Sequence, residues 1–251
     1  MVEFNSLRRL RYQCHNDPHP LPAEAKISAQ ARLVNSHGRN GWAFTLPQGE
    51  IFIRKAQLED APRLRAIYDP YVTHTAVSFE LQTPSLEEFL ERMSARMERY
   101  PYIVVEEQGT IIGYAYASAF HEREAYAHCA EITIYLQPTR RHSGIGSTLY
   151  RVLELFLQEQ HFLNLYACIA YLPEEELQAI TASGADPHLT LDSVHFHAHM
   201  GYELNAYFAH SGYKFGRWYD MVWMEKMIGS HGAAPEPLLP AEVIYRAWGW
   251  S

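Results

Sequence analysis

Apolar and polar positions alternate through Ile132, Thr133, Ile134, Tyr135 and Leu136, and this β-branched run predicts a strand. The period then changes. Leu149, Val152, Leu153, Phe156 and Leu157 fall three and four residues apart, which is one apolar face of a helix from about Ser147 to Phe162. No Gly or Pro interrupts that stretch, and a second apolar strand, Leu163 to Ile169, follows at once. Strand, helix and strand joined by short connections imply a right-handed crossover and an α/β layer.

The same reading extends along the chain. Ile51 to Ile53 predicts a short strand, and 57–71 a helix with Asp60 near its N-cap and Pro62 in its first turn. Ser85-Leu-Glu-Glu88 is a capping box that opens a helix to about Arg99. Tyr102 to Glu106 and Ile111 to Ser118 flank Gln108-Gly109, a hairpin signal. Residues 171–189 break the rhythm with Glu174, Glu175, Glu176, Gly184 and Pro187, as a loop or a short helical insertion. Ser193 to Met200 resumes as a helix with Gly201 at its C′ position, then Tyr202 to Phe208 and Tyr219 to Met227 read as strands. Residues 1–50 sustain no period, so they are expected to be a weakly structured extension. The regular domain then spans 51–230, and 231–251 forms an extended tail containing Pro235, Pro237 and Pro240.

Composition narrows the function. The 47% hydrophobic and 20% charged content is that of a folded chain. A formal net charge of −8 argues against bulk nucleic-acid binding, which needs a basic footprint. No uncharged apolar stretch approaches the roughly 18–20 residues of a membrane span, and Arg8, Arg9 and Arg11 are followed by no secretory apolar core. Cys14, Cys129 and Cys168 are scattered, as expected of reduced thiols in a cytoplasmic protein, and Cys129 and Cys168 read as buried structural residues.

Between the central strand and its helix lies Arg141-His-Ser-Gly144-Ile-Gly146. A glycine-containing loop at a helix start offers unpaired N–H groups and the positive end of the helix dipole, an anion cradle. It has neither the Lys-Ser/Thr ending of a nucleotide P-loop nor the spacing of a dinucleotide fingerprint. Its Arg-x-x-Gly-x-Gly pattern resembles the pyrophosphate loop of the GNAT superfamily of N-acetyltransferases. Arg99-Tyr-Pro-Tyr-Ile-Val-Val105 with Gly113-Tyr-Ala-Tyr116, Arg123-Glu-Ala-Tyr126, and Gly212-Tyr-Lys-Phe-Gly-Arg-Trp-Tyr-Asp220 are similar to its phosphinothricin N-acetyltransferase branch, over about Ile51 to Ile228.

That resemblance implies an α/β (α+β) GNAT fold, a mixed, mostly antiparallel sheet splayed between its fourth and fifth strands with flanking helices. It further implies acetyl-CoA as donor, a small amino-acid-like amine as acceptor, direct transfer without an acyl-enzyme, and a homodimer. Glu131 stands at the family's general-base position, with a solvated strand-end carboxylate as the competing reading. His197 stands where the branch keeps a histidine near the sulfur, to protonate the thiolate or position the acceptor. Ile134 and Leu136 correspond to main-chain contacts with pantetheine. His142, Ser143, Gly144, Ile145, Gly146 and Ser147 would hold the pyrophosphate, with added charge from Arg141 and His142. The family's CoA-contacting asparagine is missing, and Thr190 or Asp192 stands near its place. Arg123 and Tyr126 match acceptor contacts, Phe79 and Glu80 would line the same pocket, and Phe79 equally suits a core position. Lys214, Trp218 and Asp220 fit either the substrate site or the dimer interface. His195, His197 and His199 are not read as a metal site, because residues two apart on a helix diverge. The alternatives are acetylation of a peptide N-terminus or an aminoglycoside-type amine, or a non-catalytic CoA-binding module.

Overall fold

The computed structural model describes residues 31–232 and 234–250. In chain order the strands are β1 (Arg32–Ser36), β2 (Arg39–Leu46), β3 (Gly49–Lys55), β4 (Tyr102–Glu107), β5 (Thr110–Ala119), β6 (Cys129–Leu136), β7 (Asn164–Tyr171), β8 (Glu203–Lys214) and β9 (Arg217–Met227). The helices are α1 (Ala61–Thr73), α2 (Leu86–Met97), α3 (Ile145–Glu159), α4 (Glu174–Ala182), α5 (Asp192–His199) and α6 (Ala241–Ala247). The expected mixed α/β class, with mostly antiparallel strands and flanking helices, holds. The chain divides into two compact units, one taking in 31–68, 84–165 and 227–250, the other 69–83 and 166–226.

In the first unit β1 to β6 lie in sequence order, each antiparallel to the next. β1 and β2 occupy residues expected to be a weakly structured extension. His37 (φ 52°) and Gly38 (φ 78°) form the two-residue turn between Ser36 and Arg39, whose positive φ angles match the twist of a hairpin. Residues 1–30, including Cys14 and the arginines at 8, 9 and 11, lie outside the described residues. The tail is not wholly extended either. Pro240 precedes α6, which buries Ala241, Ile244 and Tyr245 on one face. Trp42 of β2 stacks on Trp248 at 4.2 Å and meets Trp250 edge-on at 5.3 Å, while Trp248 abuts Phe156 of α3. The two segments flanking the expected domain thus share one aromatic cluster.

Asp60 serves an interior ion cluster as well as a cap. Arg54 is 1% exposed and forks onto both Asp60 oxygens at 2.7 and 2.9 Å, while its Nε donates to Glu106 at 2.7 Å. Asp60 also accepts the Gln57 N–H at 2.8 Å. Gln108 (φ 50°) and Gly109 (φ 76°) make the expected β4–β5 turn. The register sets Tyr102 opposite Tyr116, Tyr116 opposite Thr133, and Tyr114 opposite Tyr135. Their side chains therefore share one face of the sheet. Tyr68 of α1 rests on Tyr135 and Phe89 of α2 on Tyr68, so these helices cover that face. α3 buries Leu149, Val152, Leu153, Phe156 and Leu157, the positions that its period predicts, and lies over β4, β5 and β6.

In the second unit the strand order is β7-β9-β8, with β8 and β9 antiparallel. Of the two readings for 171–189, the helical one holds, as α4. β8 and β9 run further than expected, to Lys214 and from Arg217. The core joins Ala76, Ala170, Leu172, Leu189 and Tyr219. Cys168 is exposed rather than buried, because it stands on a solvent-facing position of β7, where its thiol meets the Met221 sulfur at 3.0 Å. Cys129 is half-buried.

Candidate active site

The first unit carries the loop and the carboxylate. β6 ends at Leu136, a 3-10 turn spans Pro138–Arg140, and the chain enters α3 through Gly144. Gly144 is left-handed (φ 77°), and a Cβ placed on it would meet no atom within 4 Å. No side chain caps α3, and the first helical bond runs from the Thr148 N–H to the Gly144 carbonyl at 3.1 Å. The N–H groups of Ile145, Gly146 and Ser147 precede any partner in their own helix, and the helix dipole adds to them. Ser143 is fixed on two sides: its hydroxyl donates to the Arg140 carbonyl at 2.8 Å and its carbonyl accepts from Gln48 at 2.5 Å. Arg141 is half-buried, and His142 is exposed in a left-handed conformation (φ 57°).

The strand feeding this loop alternates its main-chain groups. The Gln137 N–H bonds to the Ile112 carbonyl of β5 at 2.8 Å. By the antiparallel alternation, Tyr135 and Thr133 also face β5, and Ile134 and Leu136 turn their peptide groups away from it. That is the orientation a pantetheine arm needs to add alongside as a strand. The open cradle, the uncapped helix start and these peptide groups turned from β5 together fit acetyl-CoA.

Glu131 lies on the tyrosine face of β6, opposite Ser118. It is half-buried, and burial raises its carboxyl pKa above the usual range, with Arg96 pulling the other way. A carboxylate with raised affinity for protons suits general-base work. Arg123 is exposed at the start of a 3-10 turn, Glu124–Tyr126. Tyr126 is 37% exposed and its ring stacks on His121.

The second unit carries the others. His197 is buried on α5, with Nδ1 2.6 Å from the Ser193 carbonyl. A carbonyl only accepts, so the Nδ1 proton is held there. Burial lowers the His197 pKa to about 4, so the ring is neutral at pH 7. A neutral imidazole whose proton is engaged suits positioning a partner better than protonating a thiolate. His195 and His199 are exposed on the same helix. Among the described residues no cluster of three or more His, Cys, Asp or Glu could hold a metal ion. Thr190 is exposed just before α5 and its hydroxyl accepts from the Asp192 N–H at 3.4 Å.

Phe79 lies flat against Gly212, where a Cβ would come within 2.4 Å of the ring. It is half-buried beside the core, so packing accounts for much of its position. Lys214 is 4% exposed, with Nζ donating to the carbonyls of Thr75 and Ser78 at 2.9 and 2.6 Å. It thus fastens the segment that carries Phe79 and the half-buried Glu80, and burial lowers its pKa. Asp220, also buried, accepts from the Tyr207 hydroxyl and, at 2.8 Å, from the His210 N–H. Lys214 and Asp220 have evident structural work, whereas Trp218 is 54% exposed beside Tyr213.

Two residues near the candidate chemistry escaped the sequence reading. Arg96 lies over the Tyr116 ring at 4.9 Å, and Gln48 reaches the Ser143 carbonyl. Arg96 had a visible signal, because it sits three residues after Met93 and seven after Phe89, on the buried face of α2. Gln48 had none.

Comparison with known proteins follows the same outline. Residues 53–223 match the model of the acetyltransferase (GNAT) domain. A phosphinothricin N-acetyltransferase of Streptomyces viridochromogenes is 29% identical over 192 residues, covering 76% of this chain and 95% of that protein. An L-amino acid N-acyltransferase of Escherichia coli is 28% identical over 174 residues, covering 69% of this chain and 91% of that one. Among solved structures, a phosphinothricin acetyltransferase from Sinorhizobium meliloti in complex with acetyl-CoA is 33% identical, with a TM-score of 0.63 over 74% of this chain and 92% of that one.

Proposed function

The chain belongs to the GNAT acetyltransferase family, and from that premise we propose that it acetylates the amine of a small amino-acid-like molecule bearing an acid group. The observation that carries the reading is one strand: β6 holds a half-buried carboxylate, Glu131, and leads into the loop whose helix start is open to an anion.

Ile145, Gly146 and Ser147 would hold the pyrophosphate of acetyl-CoA with main-chain N–H groups, with His142, Ser143 and Gly144 shaping the cradle and Arg141 adding charge. Ile134 and Leu136 would pair with the pantetheine arm. Acetyl-CoA supplies the acetyl group as a thioester. Glu131 takes the proton that the acceptor's ammonium must lose before its nitrogen can bond to the acetyl carbon, directly or through a water. The C–N bond forms as the C–S bond breaks, and CoA leaves as a thiolate that takes up the second proton shed by the nitrogen, so no residue of this chain carries the acetyl group. His197, neutral and fixed through Ser193, is a positioning group in this scheme. Thr190 stands in for the family's asparagine, and Arg123, Tyr126, Phe79 and Glu80 are acceptor contacts.

No helix among the described residues is long and apolar enough to cross a membrane. Scattered cysteines, with Cys129 and Cys168 outside any disulfide, support a cytoplasmic setting. Exposed Phe208, Tyr213 and Trp218 on β8 and β9 support assembly as a homodimer. The deciding experiment is a thiol-release assay with acetyl-CoA across amino acids, amino-acid analogues, polyamines, aminoglycosides and peptides. Preferential turnover of acid-bearing small amines is expected. A preference for polycationic amines or peptides would replace this reading with one of its alternatives.

A further inference from the structure

We infer that Arg96 is a specificity-determining residue, the anchor that receives the acceptor's acid group beside Glu131. The inference rests on the amino-acid-like reading above and assigns a residue to it that the sequence motifs do not contain. Arg96 comes from α2, on the helix face that also buries Phe89 and Met93. Its guanidinium lies over the Tyr116 ring at 4.9 Å, and Tyr116 stacks on Tyr102 at 4.8 Å. A guanidinium seated over an aromatic face still has N–H donors to offer, and a carboxylate can accept two bonds from their fork. Among the described residues Arg96 has no ion pair that would already occupy those donors.

The register places this cation beside the base. Tyr116 and Ser118 point to the same face of β5, and Ser118 is directly opposite Glu131. Tyr116 and Glu131 are therefore diagonal neighbours, whose Cα atoms are typically about 7–8 Å apart. Glu131 and Arg96 feel each other's charge. An α-amino acid presents its ammonium and its carboxylate on one carbon, so a base acting on the nitrogen necessarily meets the carboxylate. With Glu131 alone that approach is repulsive. With Arg96 the acid group has a partner, and the nitrogen is left facing Glu131. The surrounding groups on this face, Tyr102, Tyr114 and Tyr135, are phenols and supply no competing charge at neutral pH; burial raises the pKa of Tyr102 and Tyr114 further.

The experiment compares an amino-acid acceptor with the same molecule carrying a carboxamide, in wild type, Arg96→Gln and Arg96→Lys. The wild type is expected to favour the acid in kcat/KM. Arg96→Gln should collapse that acid-to-amide ratio by roughly 10- to 150-fold, chiefly through KM, the range of a charge-assisted hydrogen-bonded pair. Arg96→Lys should restore part of the ratio, since it keeps charge and loses the fork. Thermal stabilisation by acetyl-CoA reports that each variant is folded. If Arg96→Gln preserves the preference while the acidic limb of the rate profile moves up in pH, Arg96 only tunes Glu131 and the anchor assignment is overturned. A wild type that prefers the amide overturns the amino-acid-like reading and the anchor together.

Discussion

His197 gives its Nδ1 proton to the carbonyl of Ser193, four residues earlier on the same helix, at 2.6 Å. Burial keeps the ring neutral and outweighs this bond, which by itself favours the charged form. Its pKa falls from 6.5 to about 4, so the unfolded chain binds the proton more tightly than the folded one. Stability from this residue is present above pH 6.5 and is lost as the pH falls toward 4, by about 3 kcal/mol in all. Denaturant titrations between pH 7.5 and 4.5 should show this loss, and His197→Asn should flatten the slope. An unchanged slope in the variant would assign the titration to other histidines.

Glu131→Gln preserves shape and removes basicity. Turnover should fall on the order of a hundredfold, with acetyl-CoA affinity nearly unchanged. Burial raises the Glu131 pKa, so the wild-type rate should climb with pH through a limb above the ordinary carboxylate range, and the variant should lack it. Steady-state rates from pH 4.5 to 8 decide this, and near-wild-type turnover would move the base elsewhere.

Gly144→Val tests the cradle. A branched side chain would enter the open space in front of the loop and would resist φ 77°. Wild type should gain melting temperature with acetyl-CoA, and the folded variant should not. Equal shifts would remove the loop from cofactor binding.

Arg123 is exposed, so its contribution to binding an anionic acceptor is screened. Arg123→Ala should lower kcat/KM for acid-bearing acceptors by about 2- to 5-fold at low salt, with the difference fading by about 0.5 M salt. A larger, salt-independent loss would place Arg123 in a closed, desolvated contact.

Arg54→Leu removes the buried cation that hydrogen-bonds both Asp60 and Glu106, leaving them only the partly exposed Arg39 at 3.7 and 3.9 Å. A loss of about 3–5 kcal/mol in unfolding free energy is expected. Chemical denaturation measures it, and a loss under 1 kcal/mol would show that Arg39 or water compensates both carboxylates.

What the chain discloses about itself depends on how local the signal is. The loop and α3 were legible because a period change and a six-residue spacing occur within one short stretch. Glu131 was singled out by resemblance alone, since its strand position suits a solvated carboxylate as well as a base. The β1–β2 hairpin was not, because Asn35, Gly38, Asn40 and Gly41 read as irregular chain when they mark a turn and its flanks, and Leu33 faces outward. Three prolines hid α6, although Ala241, Ile244 and Tyr245 have helical spacing. Arg96 was invisible as chemistry because its meaning comes from Tyr116 and Glu131, distant in sequence and brought together by strand register.

Trp42, Trp248 and Trp250 are three of the chain's five tryptophans, and they sit within one cluster outside residues 53–223. Intrinsic emission is therefore weighted toward the two outlying segments instead of the loop or Glu131. A fluorescence melt of this protein would follow release of β2 from α6, and stacked indoles 4.2 Å apart should give an exciton signal in circular dichroism. The optical transition and the loss of enzymatic turnover can then occur at different temperatures in one sample. An activity assay run beside the emission trace would tell whether the flanking segments come loose before the catalytic machinery fails.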